Sequence, residues 1–280
     1  MLFGAHVSIA GGVDKAPAKA KKIGAEVFQL FLRSPRGGPA PALTPALIKN
    51  FQLEMKKNKQ AEAYIHTPYI INLASTNNRI RYGSIKIIRE ELGRASSLGV
   101  KYVMSHLGSA NDRPRNQAIK KAIEAINKIL NGYKGAALLL IENSAGSGNI
   151  IGDQFEEIRD IIKGVKGKAI GVCLDTCHAF ASGYDLRNKA AVDKTLNYFD
   201  KIIGLKLLKL IHANDSKTEL NARRDRHEHI GLGQIGLEGF KTLIKHPELA
   251  KVNMILETPD DGQGGYERDI KVLKELRKNR

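Results

Sequence analysis

The chain has 280 residues and carries 45 Lys+Arg against 29 Asp+Glu, a formal net charge of +16. No apolar run approaches the ~20 residues of a membrane span, no signal-peptide core opens the chain, and two cysteines are too few for a disulfide framework. These features exclude an integral-membrane helix bundle and a disulfide scaffold and make the cytoplasm the expected site of action; the charge suits a polyanionic partner, nucleic acid first, and equally a merely lysine-rich surface.

Short apolar runs at 3–8, 27–31, 61–65, 102–105, 137–141, 169–174, 207–211 and 252–256 read as strands. Amphipathic stretches of helical period come after them, near 12–22, 44–58, 79–98, 115–131, 153–163, 187–202, 236–245 and 266–278. Thr44-Pro45 and Asp153 look like helix starts, Gly99 and Gly204 like stops. Eight strand–helix pairs in strict alternation, with no internal linker, predict an α/β protein: a (β/α)8 TIM barrel in one domain spanning 1–280. An open doubly wound sheet is the alternative. The run Asn143-Ser144-Ala145-Gly146-Ser147-Gly148 lacks the lysine and helix-opening pattern of a phosphate loop, and reads as a strand–helix connection.

The strand ends carry the chemistry. His66, His106, Glu142, Asp175, His212 and Glu257 stand at or just beyond six successive strand ends, and the loops after them offer His178, Asp225 and His227. Parallel barrel strands bring their C-terminal ends to one rim. One polar residue at a strand end is ordinarily a satisfied terminus; six in succession of these types call for a metal. Nine N/O donors exceed the needs of one zinc and suit two or three ions if a carboxylate bridges. Cys173 alternates onto the face of Asp175, one layer beneath it, as a packed thiol. Cys177, in the next loop, is a weaker ligand candidate. His229 is a competitor for the ligand role beside Asp225 and His227, His6 is read as a non-ligand, and His246 as solvated.

Rim loops also carry cations: Arg33 and Arg36 after the second strand, Arg113 and Arg115 after the fourth, and Lys217, Arg223, Arg224 and Arg226 after the seventh, with Tyr69 nearby. The planar fork of arginine suits phosphate, although any one of them alone is equally a solvated loop charge. Metal donors ringed by arginines predict a phosphodiesterase acting on a polymer.

The segments His66-x-x-Tyr69-x-Ile71-Asn72-Leu73, Ile141-Glu142-Asn143, Cys173-x-Asp175-Thr176-Cys177-His178, His212-x-Asn214-Asp215, Asp225-Arg226-His227 and Leu256-Glu257-Thr258 resemble endonuclease IV, the zinc-dependent apurinic/apyrimidinic (AP) endonucleases of base-excision repair. The likeness runs along essentially the whole chain. It implies a TIM barrel with three Zn2+ ions, other divalent ions such as Mn2+ being compatible. His66, His106 and Glu142 would hold one ion; Glu142, bridging, with Asp175, His212 and Glu257, a second; and His178, Asp225 and His227 the third. It implies hydrolysis 5′ to abasic sites in duplex DNA, with Glu142 positioning the attacking hydroxide, 3′-hydroxyl and 5′-deoxyribose phosphate ends, and 3′-end trimming. Arg36, Tyr69 and Arg226 would contact DNA, and a monomer is expected. The chain departs from the family at Gly37-Gly38, Leu107 and Leu232, where relatives often carry bulky residues, Pro and Glu. Rival readings are a sugar isomerase or epimerase on the same barrel, and a metal-stabilised DNA-binding protein without catalysis.

Overall fold

The computed structural model describes residues 1–167, 170–259 and 265–278. Eight short parallel strands form the frame: β1 (Phe3–His6), β2 (Val27–Leu30), β3 (Ala63–His66), β4 (Tyr102–Ser105), β5 (Leu138–Glu142), β6 (Gly171–Asp175), β7 (Leu208–His212) and, after a two-stranded excursion, β10 (Asn253–Leu256). They close in the order β1-β10-β7-β6-β5-β4-β3-β2. Closure decides against the open sheet, because β1 pairs with both β2 and β10: Ala5 is opposite Phe28 on one side and Leu256 on the other. Several strands are shorter than their apolar runs, since only the stretches that the tilted barrel brings into register pair. β1 stops at His6 rather than at residue 8, and β3 starts at Ala63 rather than at 61. Ala169, in the run expected to open the sixth strand, lies outside the described residues.

Period-two alternation sorts the side chains. One face of the strands packs Phe28, Ile65, Val103, Ile141, Leu174 and Ile211 against the helices. The other fills the barrel with a separate layer of Val27, Tyr64, Met104, Leu140, Cys173, Leu210 and Ile255. Gly4 has no room for a side chain: a Cβ would fall 1.7 Å from the Val27 carbonyl oxygen. This layer is a dry floor.

The outer ring comprises α1 (Ala16–Lys22), α2 (Pro45–Lys57), α3 (Asn78–Leu98), α4 (Arg115–Leu130), α5 (Phe155–Gly164), α7 (Lys189–Ile202), α8 (Gly236–Lys245) and α9 (Gly265–Lys278). Thr44 caps α2 by accepting from Leu47 N, and Gly99 ends α3 in the left-handed region at φ 78°. Asp153 does not start its helix. Gln154 precedes α5, while Asp153 takes the Arg115 guanidinium instead. Two elements occupy stretches that the sequence pattern leaves as loop: the short helix α6 (Thr176–Ala181), and a two-stranded ribbon of β8 (Asp215–Ser216) and β9 (His227–Glu228). Cys177 and His178 therefore stand on a helix rather than in a loop. Among the described residues no helix is long and apolar enough to cross a membrane.

Candidate metal centre

Two residues above the apolar floor, on the same inward face, the strands and their ends carry Gln29, His66, His106, Glu142, Asp175, His212 and Glu257, with His6 above Gly4. The floor excludes water from below and the rim opens above, so polar groups converge in one layer with an apolar base. Glu142 lies at its centre and is fully buried. Its Oε2 faces His66 Nε2 at 3.1 Å and His106 Nε2 at 3.5 Å, whereas Oε1 faces His212 Nδ1 at 2.9 Å. His212 Nδ1 is also 3.4 Å from Glu257 and 4.0 Å from Asp175. One carboxylate thus serves two separate donor groups.

The third group comes from the insertions. Asp175 ends β6 and caps α6, its Oδ1 accepting from His178 N at 2.8 Å, which turns the His178 side chain toward the centre. The β8–β9 ribbon folds Asp225 and His227 back over the rim. His178 Nε2 and His227 Nε2 each lie 3.2 Å from an Asp225 carboxylate oxygen, and His227 Nε2 lies 3.8 Å from Asp175. The donor atoms of His66, His106 and Glu142, of Glu142, Asp175, His212 and Glu257, and of His178, Asp225 and His227 each cluster within 4.8 Å. Cys177 also falls within such a group with Asp175 and His227; its thiol donates to the Arg226 carbonyl, and burial raises its pKa.

The donors fit a metal on two grounds. Among the described residues the buried nitrogens His178 Nε2 and His227 Nε2 make no well-directed hydrogen bond, a state that buried polar atoms rarely tolerate. Moreover, His66, His178 and His227 each donate Nδ1–H to a backbone carbonyl, of Thr67, Asn143 and Glu257 respectively, leaving Nε2 aimed inward as a metal-ligating imidazole requires. Electrostatics agree. Burial opposes charge on Glu142, but His106 and His212 outweigh it and hold the carboxylate ionised. Burial likewise opposes charge on His178 and His227, yet the neighbouring Asp175 and Asp225 push them up to about 10 and about 9. The imidazoles hold protons where a cation would sit.

The remaining candidates divide. Tyr69 is 70% exposed, its ring 5.4 Å from Phe31 and 6.2 Å from His66, and with His106, His178 and Asp225 it lines a cleft of about 230 Å³. Arg36 and Arg226 are exposed on the rim. The loop of Arg36 is tied to that of Tyr69: Tyr69 N donates to the Pro35 carbonyl at 3.0 Å, and a Cβ on Gly37, at φ 91°, would lie 2.5 Å from Ile70 Cδ1. Arg33 is not a phosphate contact. It is buried, bonded to Glu91 at 2.5 Å and Glu90 at 2.9 Å, and pins this loop to α3. Arg115 is likewise occupied by Asp153 and Glu157. His229 is no ligand, its Nδ1 lying 2.7 Å from Asp269. His6 sits 3.7 Å from Glu257, behind the donor set. Sequence reasoning missed Gln29, whose amide touches both His212 and Glu257.

A closed parallel barrel whose rim gathers imidazoles and carboxylates around a shared glutamate is an α/β barrel with a centre able to hold metal. Residues 17–276 match a family model described as a xylose isomerase-like TIM barrel. A probable endonuclease 4 of Halothermothrix orenii is 42% identical over 280 residues, covering 100% of both chains. The crystal structure of endonuclease IV from Thermus thermophilus superposes with a TM-score of 0.87 at 32% identity, again covering 100% of both. A D-tagatose 3-epimerase-like protein also superposes, with a TM-score of 0.73 over 100% of this chain and 98% of that one, but at 20% identity this likeness shows the fold alone. The chain belongs to the endonuclease IV family of nucleases.

Proposed function

We propose that this protein is a DNA-repair AP endonuclease that hydrolyses the phosphodiester 5′ to abasic sites in duplex DNA, leaving 3′-hydroxyl and 5′-deoxyribose phosphate ends, and that also trims blocked 3′ ends. The observation that carries this reading is the division of Glu142, with Oε2 toward His66 and His106 and Oε1 toward His212. On this reading three zinc ions are held: one by His66, His106 and Glu142; one by Glu142, Asp175, His212 and Glu257; and one by His178, Asp225 and His227. Such ions supply Lewis acidity, activation of water at neutral pH and neutralisation of charge on phosphate oxygens.

The chain's own groups do the rest. Glu142 keeps the inner two groups of donors in register. Asp225 and His227, carried on the ribbon, close the rim over the phosphate. Tyr69 and Arg36 stand proud of the cleft, where they can enter the base stack and grip the backbone, and Arg226 adds a phosphate contact. An abasic nucleotide is the cheapest to extrude, since no base pair opposes its flipping. The exposed cations of the rim and the net charge of +16 suit a duplex backbone. The protein acts as a cytoplasmic monomer of one domain.

The test is metal analysis paired with nicking of a duplex carrying one tetrahydrofuran abasic analogue, on the same sample. Near three zinc per chain and incision 5′ to the analogue are expected. Tight binding of abasic DNA without incision by the zinc-loaded protein would instead favour a non-catalytic binding protein.

A further inference from the structure

Every barrel strand contributes one inward side chain to the polar layer, and one of them cannot ligate a metal as a charged or imidazole donor: Gln29 of β2. It is fully buried. Its amide oxygen lies 2.7 Å from His212 Nε2, and its amide nitrogen lies 2.6 Å from Glu257 Oε1 and 3.0 Å from His6 Nδ1. The three contacts admit one consistent assignment. The amide donates its two N–H groups to the Glu257 carboxylate and the His6 ring, and its oxygen accepts the proton of His212 Nε2. Without an ion, Nδ1 carries a second proton that it donates to the Glu142 carboxylate at 2.9 Å; an ion that displaces this proton meets a neutral ring whose remaining proton stays on Nε2 and whose lone pair is on Nδ1. That atom faces Glu142 and Glu257.

This is the reverse of the arrangement at His66, His178 and His227, whose Nδ1 atoms donate to backbone carbonyls and whose Nε2 atoms point inward. Those three rings are set by the main chain beside them. His212 has its outer nitrogen turned across the barrel, 183 residues away in sequence, toward a side chain.

We infer that Gln29 is a positioning residue: it imposes the inverted tautomer on His212 and fixes Glu257 beside it, and so shapes the donor group of Glu142, Asp175, His212 and Glu257. The inference rests on the proposal that this group holds an ion. Without the amide, the buried Nε2–H of His212 loses its acceptor, Glu257 Oε1 loses its 2.6 Å contact, and either side chain is free to turn away. The group of His178, Asp225 and His227 makes no contact with Gln29 and is unaffected.

Two measurements test this. In zinc-loaded protein labelled with 15N-histidine, NMR is expected to find His212 protonated on Nε2, and His66, His178 and His227 protonated on Nδ1. His212 carrying its proton on Nδ1 would overturn the inference and requires no variant. In Gln29→Leu, of similar volume but without donor or acceptor, chelator competition is expected to show zinc affinity lowered roughly 10- to 100-fold at one class of site. The other sites should stay parent-like, while the metal-free protein melts lower, because a buried donor loses its acceptor. Unchanged affinity, or a loss spread evenly over all sites, would overturn it. A parent protein that binds no zinc at the Glu142 cluster would sink the proposed function instead, so the two failures are distinguishable.

Discussion

Replacing Glu142 with glutamine removes one negative charge and converts one oxygen into an N–H donor, with little change in volume. Both oxygens are in use, at 3.1 Å from His66, 3.5 Å from His106 and 2.9 Å from His212. A unit charge acting on one positive partner at 2.9 Å, through an effective dielectric of about 20, amounts to about 6 kcal/mol. Relaxation of the neighbours will recover part of this, and half is a fair lower bound. At about 1.4 kcal/mol per tenfold, incision by Glu142→Gln should fall roughly 10²- to 10⁴-fold. The assay is single-turnover nicking of the tetrahydrofuran duplex, with metal content measured on the same preparation. The variant should lose metal at the inner groups, while the group of His178, Asp225 and His227 keeps its own. Parent-like turnover at parent-like metal content would refute the reasoning, because no carboxylate would then be needed between the inner donor groups.

Arg36→Ala should weaken binding of abasic duplex roughly 10- to 100-fold, the loss of one charge-assisted contact, and leave zinc content intact; fluorescence anisotropy and metal analysis read the two separately. Arg33→Met should do something different. It strands the buried Glu91 carboxylate and is expected to lower stability by about 3–5 kcal/mol in denaturant melts, a cost that a mere surface arginine would not show. In the metal-free protein His178 and His227 are raised from 6.5 to about 10 and about 9, burial being outweighed by Asp175 and Asp225. Their contribution to stability is therefore complete below about pH 6.5 and lost as pH climbs through about 9 to 10. Zinc must displace those protons, so its affinity should rise with pH between 7 and 9, and a flat profile from chelator competition would contradict the arrangement.

The polar layer was legible in the sequence because its members obey two simple regularities. Each sits at or just past the end of an apolar run, and parallel strands put all such ends on one side. Glu142, His212 and Asp175 follow from that alone. Gln29 escaped because one glutamine inside a strand gives no signal; its partners His212 and Glu257 lie 183 and 228 residues away and meet it only when the ring closes. Arg33 and Arg115 looked like loop cations for an equally physical reason. Their acidic partners Glu91 and Glu157 sit on helices, where acidic residues ordinarily face solvent. The ribbon that delivers His227 pairs strands of two residues each, too short for any periodicity to appear.

The tie between Tyr69 and Pro35, with Ile70 beside Gly37 and Arg33 anchoring the base, joins the two rim loops into one unit. Recombination between relatives must respect that unit. A second loop transplanted alone, with a bulky residue at position 37, would meet the exposed Ile70 side chain and strain a backbone at φ 91°; moved together with residues 67–73, the same loop keeps its own companion. On the proposed function, crossover points that part the two segments should yield barrels whose binding of abasic duplex is weakened while the donor cluster around Glu142 is kept.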